Sequence, residues 1–143
     1  MLINTSHNDP EVKKKIISEV GAPFTLKERF KLKGVGSPKL YITQASIQIY
    51  NLLQLNNDLN TCNIELRPSG IILGFHIRLE TYALVIPFYK LSIYKGTADE
   101  YSIYRDNYYV KIKASSHDKK THSFIKKILN LKSDQRPTAI EDL

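Results

Sequence analysis

The sequence contains one cysteine, Cys62, and no tryptophan among its 143 residues. A single cysteine cannot form a disulfide within the chain, and no second thiol is present to complete a zinc knuckle or a C-x-x-C redox pair. Cys62 also lacks an obvious activating partner, so we interpret it as a small buried hydrophobe at a strand edge. The sequence therefore excludes disulfide-stapled folds and metal sites built from thiolates.

Long apolar runs are equally scarce. Apolar residues make up 42% of the chain and charged residues 24%, yet no stretch is long enough for a membrane span. The first fifteen residues contain no apolar segment that could form the core of a secretory signal. A chain of this length usually folds as one domain around one core. We therefore expect one soluble, cytoplasmic domain without a transmembrane segment.

The motifs of the common enzyme classes are missing. The sequence contains no nucleophile elbow, no Walker loop and no dinucleotide fingerprint. None of its four histidines shows a metal-ligand spacing, and we interpret His117 and His122, five residues apart, as solvated helix residues. We predict a protein that is not an enzyme and needs no cofactor or metal, although a site assembled from distant residues would leave no linear motif.

Positive charge is the most conspicuous property of the chain. Lys and Arg number 21 against 14 Asp and Glu, which gives a net charge of +7 that favours anionic partners. The lysines are densest between residues 111 and 132, where Asp118 is the one acid. The candidate binding residues are Lys111, Lys113, Lys119, Lys120, Lys126 and Lys127. The alternative is an ordinary solvated face of a strand and a helix.

The N-terminal third contains one clear helix and one ambiguous segment. Asp9-Pro10 followed by apolar residues at four-residue spacing, and then Gly21, predicts a helix over 10–20. Residues 24–33 alternate apolar and basic side chains, which favours a half-buried strand. A helix there is the alternative, because Thr25 and Glu28 could form a capping box and Gly34 could end the helix.

Residues 40–55 also allow two structures. Leu40-Tyr41-Ile42-Thr43 is prone to form a strand, and the apolar alternation from Ile47 to Leu55 makes a hairpin the best fit. A helix over 43–55 remains open, because the apolar residues of that segment can share one helical face.

The second half predicts a series of strands and one helix. Turn residues separate the alternating segments, and Ser116 is expected to cap a helix with an apolar stripe that includes Phe124 and Ile128. The predicted strands are 63–66, 71–77, 82–86, 89–94, 101–105 and 108–114.

These elements predict an α+β fold that is mainly β. We expect an antiparallel bent sheet or partly open barrel of about six to seven strands, closed by one C-terminal amphipathic helix, with a short N-terminal helix. The predicted organisation is an N-terminal helical extension over 1–23, the main domain over 24–132 and a loosely ordered tail over 133–143.

Hairpins closed by one helix, with the segments Lys39-Leu40-Tyr41-Ile42-Thr43 and Ile86-Pro87-Phe88-Tyr89-Lys90-Leu91-Ser92-Ile93, resemble bacterial pleckstrin-homology-like domains over roughly residues 24–131. The chain lacks the tryptophan that is typical of the closing helix in eukaryotic members, where Phe124 could take over its packing role. In that family a basic pattern near the first hairpin reads the lipid, and this sequence matches the pattern only loosely, with Lys27, Arg29, Lys31 and Lys33. The resemblance therefore implies a binding fold and does not extend to phosphoinositide specificity.

Our leading functional hypothesis is a non-catalytic binding module that recruits an acidic protein segment or an anionic membrane surface. In the second case we expect a cytoplasmic protein that binds peripherally at the inner membrane surface. The alternative is a domain that binds single-stranded nucleic acid, because nine tyrosines accompany the lysines. A sheet face that displays Tyr101, Tyr104 or Tyr109 beside lysines would support this alternative. A small enzyme without a linear motif is the third hypothesis.

Overall fold

The computed structural model describes residues 1–57, 59–97 and 99–134. Its strands are β1 (Leu2–Asn4), β2 (Leu40–Ala45), β3 (Thr61–Arg67), β4 (Gly70–Ile77), β5 (Glu80–Pro87), β6 (Leu91–Lys95), β7 (Glu100–Arg105) and β8 (Tyr108–Lys113). Its α-helices are α1 (Pro10–Val20), α2 (Leu26–Lys31), α3 (Ile47–Leu53) and α4 (Lys119–Asp134), and a 3-10 turn covers Phe88–Lys90. The fold is thus α+β and mainly β, as predicted.

The eight strands of the described residues belong to one open antiparallel sheet in the order β1-β5-β4-β3-β2-β8-β7-β6. The prediction of six to seven strands was therefore too low, and four α-helices replace the predicted two. The additional strand is β1, which pairs with β5 so that Leu2 lies opposite Leu84. Three residues are too few for an alternation pattern to reveal a strand.

Within the segment from 24 to 33, residues 26–31 form the helix α2, so the prediction of a strand was wrong and its alternative is confirmed. The Thr25 side chain accepts a hydrogen bond from the Glu28 backbone N–H, and the Glu28 carboxylate accepts one from the Thr25 N–H. This capping box satisfies two backbone donors that a helix start would leave free. Lys33, with φ of 60°, adopts the left-handed conformation just after the helix, and the N–H of Gly34 donates to the Arg29 carbonyl at 2.9 Å, which closes the end of the helix.

Residues 47–53 form α3, so the predicted hairpin was also wrong. The strand β2 ends at Ala45, and the chain turns at Ser46 into a helix that buries Ile49 and Leu53 in the core. The alternation of apolar residues was compatible with both periods, and the tertiary packing favoured the helix.

The strand β2 is shared by the two halves of the sheet. The first part of this strand pairs with β3, where Leu40 lies opposite Cys62, and its second part pairs with β8, where Ala45 lies opposite Val110. A register shift between Ile42 and Gln44 lies between the two parts. Because one strand changes partners along its length, β2 joins two three-stranded meanders, β3 to β5 and β6 to β8.

The main core joins buried residues of both meanders with those of α4. Thr121, Phe124, Ile125 and Ile128 are the buried residues of this helix. Its first turn is capped by Asp118, whose carboxylate accepts a hydrogen bond from the Thr121 N–H at 3.1 Å. The prediction of Ser116 as the cap was therefore wrong by two residues. Of the predicted loose tail, residues 135–143 lie outside the described residues, and 133–134 end α4.

The helix α1 packs on the other side of the first meander. Val20 is fully buried against Ala83 and Val85 of β5. A Cβ atom at Gly70 would lie 2.5 Å from Cγ1 of Val20 and 2.3 Å from the carbonyl oxygen of Ile86. This close approach requires glycine at the turn between β3 and β4.

A partly buried ion pair connects α1 to both meanders. Arg105 of β7 is 7% exposed and donates hydrogen bonds to the Glu19 carboxylate, at 2.6 Å, and to the carbonyl of Val85. Burial alone would raise the pKa of Glu19, but the hydrogen bond and the charge of Arg105 outweigh it and lower this pKa. The pair therefore connects α1, β5 and β7 through one side chain.

Candidate functional site

The lysines of α4 lie on the side of the helix away from the core. Lys119, Lys120 and Lys126 are exposed, and Lys127 is half-buried beside the ring of Phe124. Residues seven apart on a helix point in nearly the same direction. Since the apolar face of α4 is fixed in the core, these lysines are held on one outer surface.

The chain after α2 provides a second wall opposite these lysines. Lys33 and Gly34 form the turn that ends α2, with φ of 60° and 98°. The ammonium group of Lys127 donates to the carbonyl oxygens of both residues, at 3.4 and 3.1 Å. A side chain of α4 thus holds the end of α2 in place.

A groove of about 550 Å³ lies between the two walls. It is lined by Lys33, Gly36, Ser37, Pro38, Lys119, Lys120, Ser123, Phe124 and Lys127. A recess of about 370 Å³ continues toward the end of α4. It is lined by Lys31, Leu32, Lys33, Ser123, Lys126, Lys127, Asn130, Leu131 and Asp134. We call the two together the basic groove.

The basic groove contains six lysines and one carboxylate, that of Asp134. The lysines are Lys31, Lys33, Lys119, Lys120, Lys126 and Lys127. Within the described ranges, no carboxylate lies within 4.0 Å of any of their amino groups. Because six lysines stand against one carboxylate, the described lining of the groove keeps a net positive charge.

Four of the six candidate lysines line the groove, and two lie elsewhere. Lys111 and Lys113 belong to β8, where they alternate with the buried Val110 and Ile112. Their side chains therefore leave the sheet on its outer face.

Two groove residues, Lys31 and Lys33, were absent from the predicted set. The alternation of residues 24–33 placed them on a strand face. The capping box and Gly34 were the signals that could have found them, because they give a helix that ends in a turn at the groove.

Tyrosine rings line the outer face of the second meander, away from the basic groove. The ring of Tyr104 lies 5.6 Å from that of Tyr94 and 5.4 Å from that of Tyr109. The hydroxyl oxygen of Tyr109 accepts a hydrogen bond from Nε2 of Gln44 at 3.1 Å, and Lys111 leaves β8 on the same face. We call this row of three rings the tyrosine face.

Tyr101 has a separate role in packing. It is 9% exposed, and its hydroxyl lies 2.7 Å from Nδ1 of His122. The other ring nitrogen of His122 lies 2.7 Å from the Ser115 carbonyl, which can only accept. Nε2 must therefore carry a proton. The interpretation of His122 as a solvated residue was wrong, because its ring ties α4 to β7 and to the loop before the helix. Burial raises the pKa of Tyr101.

No group of three or more His, Cys, Asp and Glu side chains within the described residues could hold a metal ion. Among the same residues, no helix is both long and apolar enough to span a bilayer. Comparison with family models, curated proteins and solved structures finds no significant match to this chain.

Proposed function

We propose that this protein is a non-catalytic, pleckstrin-homology-like module that binds an anionic membrane surface through its basic groove. Two antiparallel meanders closed by one amphipathic helix support the fold part of this proposal. The observation that carries the function is the convergence of lysines from α4 and from the end of α2 on one groove, where Asp134 is the one acid among the described lining residues.

The charge of the groove is large enough to matter for membrane binding. Each lysine close to an anionic leaflet contributes on the order of 1 kcal/mol, and this contribution is screened by salt. Six lysines on one surface would together give several kcal/mol, enough for reversible recruitment. The location that fits such a function is the inner surface of the cytoplasmic membrane, where anionic lipids face the cytoplasm.

Co-sedimentation with vesicles tests the proposal. The full chain is mixed with vesicles of phosphatidylcholine alone, or with added phosphatidylglycerol, across a series of salt concentrations. The test variant carries Lys119→Gln, Lys120→Gln and Lys126→Gln. Lys127 is left unchanged because it holds the turn at Lys33 and Gly34. We expect salt-sensitive binding to the anionic vesicles, weakened about a hundredfold by the three substitutions, which remove about 3 kcal/mol.

A matched control changes the same number of charges elsewhere. Lys13, Lys14 and Lys15 are exposed on α1, and changing all three to Gln also lowers the net charge of +7 by three. If the groove is the binding surface, this variant should retain most of its binding. Equal losses of binding in both variants would show that binding depends on the net charge of the protein and not on the groove. If the unchanged protein does not bind anionic vesicles, the membrane proposal is overturned in favour of an acidic protein segment.

One observation favours a second candidate, a domain that binds single-stranded nucleic acid. Tyr94, Tyr104 and Tyr109 form a contiguous row on the outer sheet face beside Lys111. Stacking of a base on an aromatic side chain contributes about 1–3 kcal/mol. Fluorescence anisotropy with labelled oligonucleotides tests this candidate. The double variant Tyr104→Leu, Tyr109→Leu should weaken binding at least about tenfold, whereas Tyr89→Leu, which changes an exposed tyrosine outside the row, should not.

A further inference from the structure

The helix α2 exposes its large apolar side chains. Leu26 is 84% exposed and Phe30 is 88% exposed. The two residues are four apart, so their side chains project from the same side of the helix. None of the residues of α2 is buried. The pair therefore forms an apolar patch that the described part of the fold does not cover.

This patch is presented by an ordered segment with anchors at both ends. Phe24 and Leu32, which flank α2, pack against the main core. The capping box fixes the first turn, and Lys127 holds the turn after the helix. Leu26 and Phe30 are thus held outward between two attachment points of the same segment.

Cations surround the apolar pair. Lys27, Arg29, Lys31 and Lys33 are all exposed, and Glu28 is the one acid from residue 26 to residue 33. The Glu28 carboxylate is engaged in the capping box, and its hydrogen bonds with the backbone and side chain of Thr25 lower its pKa. Lys31 and Lys33 also line the basic groove. The apolar patch and the groove therefore form a continuous surface.

Two apolar side chains bordered by cations match a partner that has an anionic surface with an apolar interior beneath it. A bilayer offers hydrocarbon beneath a plane of anionic headgroups, and interfacial helices bind it by burying an apolar face while basic residues stay at headgroup level. A second copy of this chain would place the same cations opposite each other, so the two copies would repel each other. Charge complementarity thus selects the anionic bilayer among the possible occupants of the patch.

We propose that Leu26 and Phe30 insert into the bilayer while the lysines of the basic groove contact its anionic headgroups. This inference rests on the proposed function, since it requires the membrane to be anionic and to face the groove. It assigns to α2 the apolar part of binding, which should persist at salt concentrations that screen the lysines.

The absence of tryptophan allows a direct test of insertion. The variant Phe30→Trp places one fluorophore on the patch, and Tyr89→Trp places one at a residue that is 82% exposed and also followed by a lysine. Tyr89 precedes β6, at the end of that strand away from α4. With phosphatidylglycerol vesicles that contain brominated acyl chains, we expect a blue shift and strong quenching for Phe30→Trp and neither effect for Tyr89→Trp.

The double variant Leu26→Ser, Phe30→Ser separates the apolar contribution from the electrostatic one. It should weaken binding to phosphatidylglycerol vesicles by about a hundredfold, as expected for two large apolar side chains that leave hydrocarbon. The residual binding should disappear at moderate salt, where that of the unchanged protein persists. Circular dichroism checks that the variant is folded.

The outcomes distinguish this inference from the proposed function. If vesicles bind the double variant as well as the unchanged protein and the Phe30→Trp emission is not quenched, insertion is overturned while groove binding stands. If the unchanged protein sediments with no vesicle, both proposals fail together. A dimer in sedimentation velocity that the double variant converts to a monomer, without quenching by brominated lipid, would assign the patch to a second copy and overturn insertion.

Discussion

The helices α2 and α4 flank the same groove, yet they place their apolar side chains in opposite environments. In α4, Phe124 is 5% exposed and Ile128 is fully buried, whereas in α2 Leu26 and Phe30 are more than four-fifths exposed. Burying one such side chain contributes about 1.5–3 kcal/mol. The fold uses this contribution in α4 and leaves it unused in α2. The difference shows that the apolar side chains of α4 contribute to the core, whereas the large apolar side chains of α2 do not.

The same contrast applies to how firmly each helix is held. The helix α4 contacts the core along its length, through Thr121, Phe124, Ile125 and Ile128. The helix α2 is attached through residues at its ends, Phe24 and Leu32. Segments with few buried contacts open at lower free-energy cost than the core. We therefore expect α2 to respond to substitutions independently of the rest of the fold.

The largest expected effect concerns the alkylation of Cys62, whose thiol lies in the core to which α4 contributes. Cys62 is 4% exposed and belongs to the same core cluster as Ile128, and burial raises the pKa of its thiol to about 12. Because the thiolate is the nucleophile, iodoacetamide should modify the folded protein at least about a hundredfold more slowly than the unfolded chain. Mass spectrometry with and without urea measures both rates, and equally rapid modification would contradict the buried position.

The substitution Ile128→Ala should cause the largest loss of stability. It leaves a cavity where α4 meets the core, and such changes cost about 2–5 kcal/mol in the free energy of unfolding. Urea denaturation followed by circular dichroism measures this loss, with Leu129→Ala, at a residue 42% exposed on the neighbouring side of α4, as the control. Similar small losses in both variants would show that α4 is not fixed to the core.

Removing the cap of α2 should have an intermediate effect. The substitution Thr25→Ala deletes the hydroxyl that accepts from the Glu28 N–H, and the loss of an N-cap costs about 1 kcal/mol. The variant Thr25→Ser keeps the hydroxyl and should restore stability. Hydrogen exchange should accelerate in residues 26–33 and remain unchanged in β3 to β5. Uniform acceleration over the whole chain would contradict the independence of α2.

The double substitution Leu26→Ser, Phe30→Ser should change stability least. Both side chains are exposed in the fold, and substitutions at such sites are usually within about 0.5 kcal/mol. Thermal or urea unfolding in the absence of vesicles measures this effect. A loss comparable to that of Ile128→Ala would mean that the pair is covered within the protein, which would remove the contrast between the two helices.

Much of the second half could be predicted from its sequence because two local signals agree there. Apolar alternation marks strands β3 to β8, and turn residues such as Pro68 and Asn107 separate them. The C-terminal helix followed from its apolar spacing, although Ser116 was taken for the cap that Asp118 provides. In these segments the local pattern and the tertiary packing favour the same structure.

In the first half the local signals conflict. Residues 24–33 alternate apolar and polar side chains as a strand does, yet the capping box favours the helix that is observed. Leu26 and Phe30 add to the conflict because they are apolar but exposed. This is why only part of the site was predicted. The lysines of α4 follow from helical spacing, whereas the opposite wall depends on how α2 ends and docks against Lys127, a long-range contact that no local pattern contains.

An amide chemical-shift titration of the labelled full chain with phosphatidylglycerol nanodiscs locates the membrane-binding surface directly. We expect changes and line broadening confined to residues 26–34 and 119–127, with phosphatidylcholine nanodiscs as the inactive control. Changes confined to the tyrosine face, at Tyr94, Tyr104 and Tyr109, or no changes at all, would contradict the assignment of the basic groove and α2 as the membrane-binding surface.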